Sequence, residues 1–297
     1  VNASILNFVS LAGRQNALLR LAQSRRVFDR LDWWALADWA GSPALHLTDD
    51  AALLITPPDL TPSQAIGAGC LPAAWVRWCA VSDGTSASPI VPRLLRTAQD
   101  ELAQAGIAQV WAIVHAQDWL LGYLHDAGYE TVDRMLTYEA APQGIAAPPA
   151  SPQLTLRPLA AHELPIAEQL DAQCFEPAWR YPSAIMKPAF EACPVFVLAE
   201  WQGAPVGYCC ALLNDDHGHV VRLAVDESHR HAGVGAALLA HAVQALARMG
   251  AATVSLNTQG GNLASQRLYA RMGFKELLER PMVLRASLAH TTGRAAL

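Results

Sequence analysis

A chain of 297 residues with 52% hydrophobic and 16% charged residues has ample apolar material for packed cores, which excludes global disorder. Its length fits two domains of about 150 residues each. The formal charge of -5 and pI near 6.0 exclude a protein-wide electrostatic grip on nucleic acid, while a small local basic site for an anion stays open.

The start, VNASILNFVSLAGRQNALLRLAQ, lacks a charged segment followed by a sustained apolar one, and no stretch reaches ~18 uninterrupted apolar residues. Neither secretion nor membrane spanning is expected. WWALADW, residues 33–39, reads as packing, as a cover for a substrate opening, or as a partner surface. Without a basic stripe its aromatic spacing is no platform for nucleic acid. The clearest boundary is APQGIAAPPASPQ, residues 141–153, where proline and glycine break both helical and strand periodicity. It is read as a linker between domains at 1–140 and 154–297.

After it, residues 154–159 predict a strand and 162–172 a helix, followed by the turn-rich stretch 175–182. VFVLAEW (195–201) and PVGYCCALL (205–213) predict an antiparallel hairpin, and HVVRLAV (219–225) the next strand. Residues 236–249 carry Leu238, Leu239, Ala242, Leu246 and Met249 at helical spacing, and Gly250 ends that helix. A strand over 252–258, a helix over 262–272 and a returning strand around 282–284 complete a mixed α/β order. The first half echoes it. Leu94, Leu95, Ala98, Leu102, Gly106 and Val110 recur 144 positions later as Leu238, Leu239, Ala242, Leu246, Gly250 and Val254, which points to a duplication.

Six cysteines, Cys70, Cys79, Cys174, Cys193, Cys209 and Cys210, form neither a CxxC pair nor a Cys/His cluster at zinc-like spacing. They are read as free, mostly buried thiols in a reducing cytoplasm, with no metal site expected. Whether the chain is a monomer or a homodimer is left open.

The chemical signal lies between the predicted strand and helix in VDESHRHAGVGAALL, where Arg230, Gly233 and Gly235 make RxxGxG. Glycines remove side-chain obstruction, so successive backbone N–H groups can turn toward an oxyanion. The free donors and dipole of the following helix favour phosphate, and Arg230 adds a charged donor or braces the loop. The loop fits neither GxxxxGK[ST] nor a first-strand GxGxxG.

GYCCALL (207–213), VVRLAVDESHRHAGVGAALL (220–239) and VSLNTQGGNLASQRLYARMGFKE (254–276) together resemble the GCN5-related N-acetyltransferase (GNAT) superfamily. The last piece carries an N…A…LY…GF pattern through Asn262, Ala264, Leu268, Tyr269, Gly273 and Phe274. Ribosomal-protein alanine acetyltransferases and mycothiol-synthase-like tandem proteins are the nearest branches. The resemblance implies two tandem GNAT-like domains, each a mixed, mostly antiparallel sheet flanked by helices, with splayed central strands. It implies an acetyl-coenzyme A site: backbone groups of Arg230, His231, Ala232, Gly233, Val234, Gly235 and Ala236 for the pyrophosphate, and the edge Leu223, Ala224, Val225 for pantetheine. It also implies direct transfer to an amine, with Tyr269 as the acid that protonates the departing sulfur.

Asn262 is expected to cap a helix, to contact the cofactor arm, or both. Family relatives place glutamate where this chain has Asn257, and neutral asparagine cannot take and hold a proton, so that role does not carry over. Asp215, Asp216, His217 and His219 lie near the cofactor edge, and His219 is the first choice of base. Phe175, Glu176, Trp179 and Tyr181 are read either as a wall for the acceptor, with Glu176 attracting its amine, or as ordinary packing.

In the first half, Ser86, Pro89 and Val91 stand where Arg230, Gly233 and Gly235 stand in the second. That half is not expected to hold coenzyme A in the same way. The expected activity is N-acetylation of a small-molecule amine or a protein N-terminus, without nucleic-acid or membrane partners. A non-catalytic binding module of the same fold and a transferase for longer acyl groups are the alternatives.

Overall fold

The computed structural model describes residues 10–64, 66, 70–149 and 151–288. In chain order the first half gives α1 (Leu11–Leu21), β1 (Arg26–Asp29), β2 (Leu45–Leu47), β3 (Ala51–Thr56), β4 (Ala73–Val81), α2 (Ala87–Gln104), β5 (Gln109–Val114), α3 (Leu121–Asp126) and β6 (Glu130–Ala140). There follow β7 (Leu154–Pro158), α4 (Leu164–Cys174), α5 (Ser183–Ala192), β8 (Val195–Trp201), β9 (Ala204–Asn214) and β10 (His217–Val225). The chain ends with α6 (Val234–Arg248), β11 (Thr253–Gln259), α7 (Leu263–Arg271), β12 (Lys275–Glu276) and β13 (Met282–Ser287).

The elements repeat at the spacing seen in the sequence. Strand β10 starts and stops 144 positions after β4, and α6 ends 144 positions after α2. Two compact units result. One holds the described residues up to Val132 and those from Met282 onward; the other holds Asp133–Pro281.

These units cut the chain at other places than the 1–140 and 154–297 division read from the sequence. From Asp133 onward β6 lies in the second unit, antiparallel to β11 with Val254 opposite Ala140. The last strand, β13, lies in the first unit, antiparallel to β5 with Ala286 opposite Val110. Each half's final strand therefore completes the sheet of the other unit. The expected linker is partly structured too: Pro142 is buried and Ile145 joins the second unit's apolar core.

In the first unit the strand order is β2, β3, β4, β5, β13, with β1 also on β4; every pairing is antiparallel except β4 with β5. In the second the order is β6, β11, β10, β9, β8, β7, with β12 on β6, and β10 runs parallel to β11. Strand alternation puts Val195, Val197, Val220, Val254 and Leu256 on one face, where they meet Val234, Leu238, Leu239 and Leu246 of α6. The β8–β9 hairpin turns on Gln202 and Gly203, both at positive φ (52° and 85°), the handedness that matches strand twist. All six cysteines are free. Among the described residues no helix is long and apolar enough to cross a membrane, and no His, Cys, Asp and Glu cluster is grouped to hold a metal ion.

Gly207 is fixed by close approach: a Cβ there would lie 2.6 Å from the Ala224 carbonyl oxygen and 3.3 Å from the Val225 Cα. Backbone cannot swing aside as a side chain can. Gly207→Ala is expected to lose about 1–3 kcal/mol in urea unfolding, the usual cost of overpacking. Gly122→Ala, in α3 with nothing within 4 Å, gains up to about 1 kcal/mol in the same assay.

Candidate functional site

The site begins where two strands part. Parallel pairing of β10 with β11 runs from His217 opposite Thr253 to Val220 opposite Leu256 and then stops. Strand β10 continues to Val225 against β9, and β11 continues to Gln259 against β6. At the same point the β9–β10 register shifts between Val220 and Arg222, so Val221 is an extra residue. A bulge of this kind reverses side-chain alternation. Val220 faces α6; after the bulge Leu223 and Val225 do, and Arg222 turns to the opposite face. The backbone edge of Leu223, Ala224 and Val225 that faces the gap has no strand paired to it among the described residues.

Beyond this edge Asp226 caps a short turn, its carboxylate accepting from the Ser228 N–H at 2.9 Å, and leads into the glycine loop. His231 and Gly233 both have positive φ, 68° and 86°. Gly233 is the cap residue of α6. It supplies no capping side chain, and the first turn of the helix holds no acidic residue. The first bond within the helix runs from the Ala237 N–H to the Gly233 carbonyl at 3.0 Å, which leaves the N–H groups of Val234, Gly235 and Ala236 as the first-turn donors. A Cβ on Gly235 would lie 3.4 Å from Leu268 and 3.7 Å from Val225, so this glycine is wedged between α7 and the end of β10. Arg230 is exposed and sits 3.8 Å from Glu227. These donors, without a competing carboxylate, suit a pyrophosphate.

Tyr269 lies on the α6 side of the sheet, 5% exposed, in one cluster with Val220, Val234 and Leu256. Its ring meets Tyr138 edge-on at 5.6 Å and Phe274 at 6.3 Å. Burial pushes its phenol up to about 12, against the opposing hydrogen bond from Ser265, so it stays protonated at neutral pH. Tyr138 comes from β6, a first-half strand, and no local signal in the sequence links it to Tyr269. Asn262 caps α7, its side chain accepting from the Ser265 N–H at 3.2 Å.

On the other face, His219 and Ser255 form the last rung of that face before the strands part. Nδ1 of His219 lies 2.9 Å from Ser255 Oγ, which is 2.8 Å from Nε2 of His217; Nδ1 of His217 lies 2.8 Å from Thr253 Oγ1. Burial, helped by the neighbouring His217, lowers the His219 imidazole to about 4, so it is neutral at physiological pH. Asn257 follows two residues after Ser255, exposed, on the part of β11 that has left β10. Asp215 and Asp216 lie in the exposed turn between β9 and β10.

The stretch 175–182 is built around a residue the sequence reading passed over. The guanidinium of Arg222 lies 3.4 Å from the Phe175 ring centroid and 4.2 Å from that of Tyr181, and it donates to the Trp179 carbonyl. It also grips Asp171 in α4 at 2.7 and 2.9 Å. The same carboxylate, 0% exposed, accepts from the Tyr208 hydroxyl and the Tyr181 N–H, both at 2.6 Å. Phe175 and Tyr181 thus each give a ring to Arg222, and Glu176 is exposed nearby. A lone arginine in an apolar strand, HVVRLAV, was the signal for this cluster, because a buried charge requires a partner.

Residues 164–274 match the Acetyltransferase (GNAT) family. Over 125 residues the chain is 26% identical to an uncharacterised N-acetyltransferase of Methanocaldococcus jannaschii, covering 41% of this chain and 79% of that protein. Over 61 residues it is 36% identical to the ribosomal protein bS18-alanine N-acetyltransferase of Escherichia coli, which covers 20% of this chain and 41% of that relative's length. Among solved structures, the tandem GNAT protein from the clavulanic acid biosynthesis pathway shares the fold with a TM-score of 0.60 at 17% identity, over 95% of this chain and 96% of that one. A GCN5-related N-acetyltransferase from Sphaerobacter thermophilus gives a TM-score of 0.56 at 19% identity, over 85% and 84% of the two chains. Residues 164–274 carry the match to the Acetyltransferase (GNAT) family, within a fold shared with tandem GNAT proteins.

The Arg222–Asp171 pair sets a stability expectation. Asp171→Asn leaves a buried guanidinium short of its countercharge and is expected to cost about 3–5 kcal/mol in urea unfolding. Arg230→Ala breaks an exposed pair and is expected to change stability by less than about 1 kcal/mol.

Proposed function

We propose that the second unit transfers an acetyl group from acetyl-coenzyme A to the amine of a small molecule or a protein N-terminus, both substrates being bound together. The observation that carries this reading is the open backbone edge of Leu223, Ala224 and Val225 leading into the first-turn donors of α6. The first unit supports it by contrast. There β4 also parts from β5, after Trp75 opposite Trp111, but β1 pairs with the freed edge: Phe28 opposite Cys79, Val27 opposite Ala80, Arg26 opposite Val81. These are the positions 144 before Leu223, Ala224 and Val225. A helix begins at Ala87, directly after Ser86, so helix stands where the second unit has its loop, and Pro89 has no N–H to offer. The first unit is accordingly assigned no acyl transfer.

Arg230 and the backbone from His231 to Ala236 would hold the pyrophosphate, with Asn262 steadying α7 beside it, and the β10 edge would align the pantetheine arm. Bound acetyl-coenzyme A supplies an activated acetyl group: the amine nitrogen bonds to the carbonyl carbon, the C–S bond breaks, and the sulfur leaves needing a proton. Tyr269 gives that proton from the α6 side, its buried phenol still protonated at neutral pH. The Val225 N–H is the donor assigned to the developing oxyanion. His219, on the opposite face, takes the proton of the amine. Asn257 and Glu176 flank the acceptor's approach, while Phe175, Trp179 and Tyr181 shape it from the segment that Arg222 holds.

Two measurements on the whole chain test this reading. Calorimetry is expected to show coenzyme A binding, weakened by Gly233→Val, which forces a branched residue to positive φ. With acetyl-coenzyme A and a panel of amines, Tyr269→Phe is expected to lower kcat by about 10²–10⁴-fold while coenzyme A binding stays within about twofold. Unchanged turnover in Tyr269→Phe removes the tyrosine from the mechanism, and a parent protein that binds no coenzyme A ends the reading.

A further inference from the structure

We infer that Tyr138 is a positioning residue: its ring, delivered by β6 behind the parting point of β10 and β11, fixes the plane of Tyr269 and so aims the hydroxyl that serves the departing sulfur. The inference rests on the acetyltransferase reading and adds one residue to its machinery.

Strand register places Tyr138. It stands opposite Leu256 in the β6–β11 pairing, and Leu256 stands opposite Val220, the last rung before the gap. Its ring meets that of Tyr269 at 5.6 Å between centroids and 63° between planes, while Phe274 meets Tyr269 at 6.3 Å and 55°. Two rings thus bear on Tyr269. An edge-on contact sets a ring's orientation as well as its distance, because the positive edge of one ring is drawn to the negative face of the other. The hydroxyl of Tyr138 is engaged elsewhere, donating to Glu276 at 3.5 Å, and Glu276 is paired with Arg280 at 2.6 Å. What Tyr138 offers Tyr269 is a ring rather than a proton.

The first unit shows that the fold does not require this ring. Equivalent positions follow from backbone hydrogen bonds. Ala140 lies opposite Val254 and Ala286 opposite Val110, so Tyr138, opposite Leu256, corresponds to Leu284, opposite Ala112. The Tyr269 carbonyl accepts from the Phe274 N–H at 3.0 Å, just after Gly273 at φ 89°. The Leu124 carbonyl accepts from the Tyr129 N–H at 3.0 Å, just after Gly128 at φ 86°. Tyr269 therefore corresponds to Leu124, and Phe274 to Tyr129.

Leu284, Leu124 and Tyr129 share one buried cluster, as Tyr138, Tyr269 and Phe274 share the other. Both units keep an aromatic ring after the glycine. The remaining two positions change together: leucine with leucine where β1 pairs with the freed edge, tyrosine with tyrosine where that edge is open. Burying two phenols is less favourable than burying two leucines, so packing alone does not account for the pair.

Turnover of the full chain is followed with acetyl-coenzyme A and a panel containing an alanine-initiated peptide, a polyamine and an amino sugar. Tyr138→Leu, which installs the first unit's residue, is expected to lower kcat by about tenfold with KM for acetyl-coenzyme A within about twofold, as a slightly misplaced acid would. Tyr138→Phe, which keeps the ring, is expected to restore kcat toward the parent. In the Tyr269→Phe background Tyr138→Leu is expected to lower kcat no further, since the hydroxyl it aims is already gone. A parent-like kcat in Tyr138→Leu, or a fully additive loss in the double variant, overturns the role and leaves the acetyltransferase reading intact.

A second readout needs no acceptor. In the chain labelled with ¹³C-tyrosine, the Tyr269 ring is identified by the NMR signals that Tyr269→Phe removes. Its flip rate is expected to rise about two- to tenfold in Tyr138→Leu, the loss of one edge-on contact, and to return in Tyr138→Phe. An unchanged flip rate overturns the role, and this measurement decides alone if no amine of the panel is acetylated. Should the leucine variant fail to fold, Tyr138→Met, which fills the space without a ring, takes its place with the same expectations. Failure of the parent to bind coenzyme A is the separate result that brings down the reading beneath it.

Discussion

The second unit depends on one break in a hydrogen-bonded ladder, the end of β10–β11 pairing at Val220 opposite Leu256. A parallel strand with only one neighbour retains a row of N–H and C=O groups that still require partners. That row is the edge along which the proposed cofactor would lie. The break also sets which side chain faces which compartment, because Val221 is an added residue and alternation reverses across it. Without the bulge Arg222 would point into the apolar layer beneath α6, where nothing could neutralise it. With it, Arg222 reaches Asp171 and ties the segment 175–182 to the strand that carries the edge.

The same break separates the two residues proposed to handle protons. Tyr269 shares the α6-side core with Val220 and Leu256, the last paired rung on that face. His219 and Ser255, one residue earlier, belong to the other face. An acid that serves the leaving sulfur and a base that serves the incoming amine are best kept apart, since contact between them would exchange the proton before transfer. A sheet provides that separation by alternation alone.

Much of this was legible in the sequence because its signals are local. The helix over α6 follows from the spacing of Leu238, Leu239, Ala242 and Leu246, the loop from Gly233 and Gly235, and the hairpin from Gln202-Gly203. The 144-residue repeat survived as a few apolar positions and returned as matching strand ends in β4 and β10. What stayed hidden depends on contacts remote in sequence. Nothing near Tyr138 indicates that β6 will pair with β11, and nothing near Arg285 indicates that β13 will pair with β5. The proline-rich stretch 141–153 read as a linker because its backbone cannot form regular structure, yet Ile145 still packs into the core. The aromatic residues of 175–182 were visible as a cluster; that Arg222 would occupy their faces was not, because the bulge at Val221 leaves no mark in the sequence.

The two halves resolve one structural problem in different ways, and the difference separates a scaffold from a site. In both, a strand leaves its parallel neighbour after three or four rungs and exposes backbone groups on one edge. The first unit satisfies them from within: β1 pairs with Cys79, Ala80 and Val81, indoles fill the apex, and the helix extends to Ala87 where a loop could have bound an anion. Each change is favourable for folding, since it replaces an open edge with ladder bonds and packed rings. The second unit forgoes all three. It keeps a strand edge unpaired among the described residues, a loop ahead of its helix, and half-buried imidazoles bonded to a buried hydroxyl at the apex. Groups left in that state sacrifice stability that the first half demonstrates is within reach of the same fold, and a ligand supplying the missing partners restores it. The first half is therefore the internal reference for the backbone and polar groups that the second half leaves open.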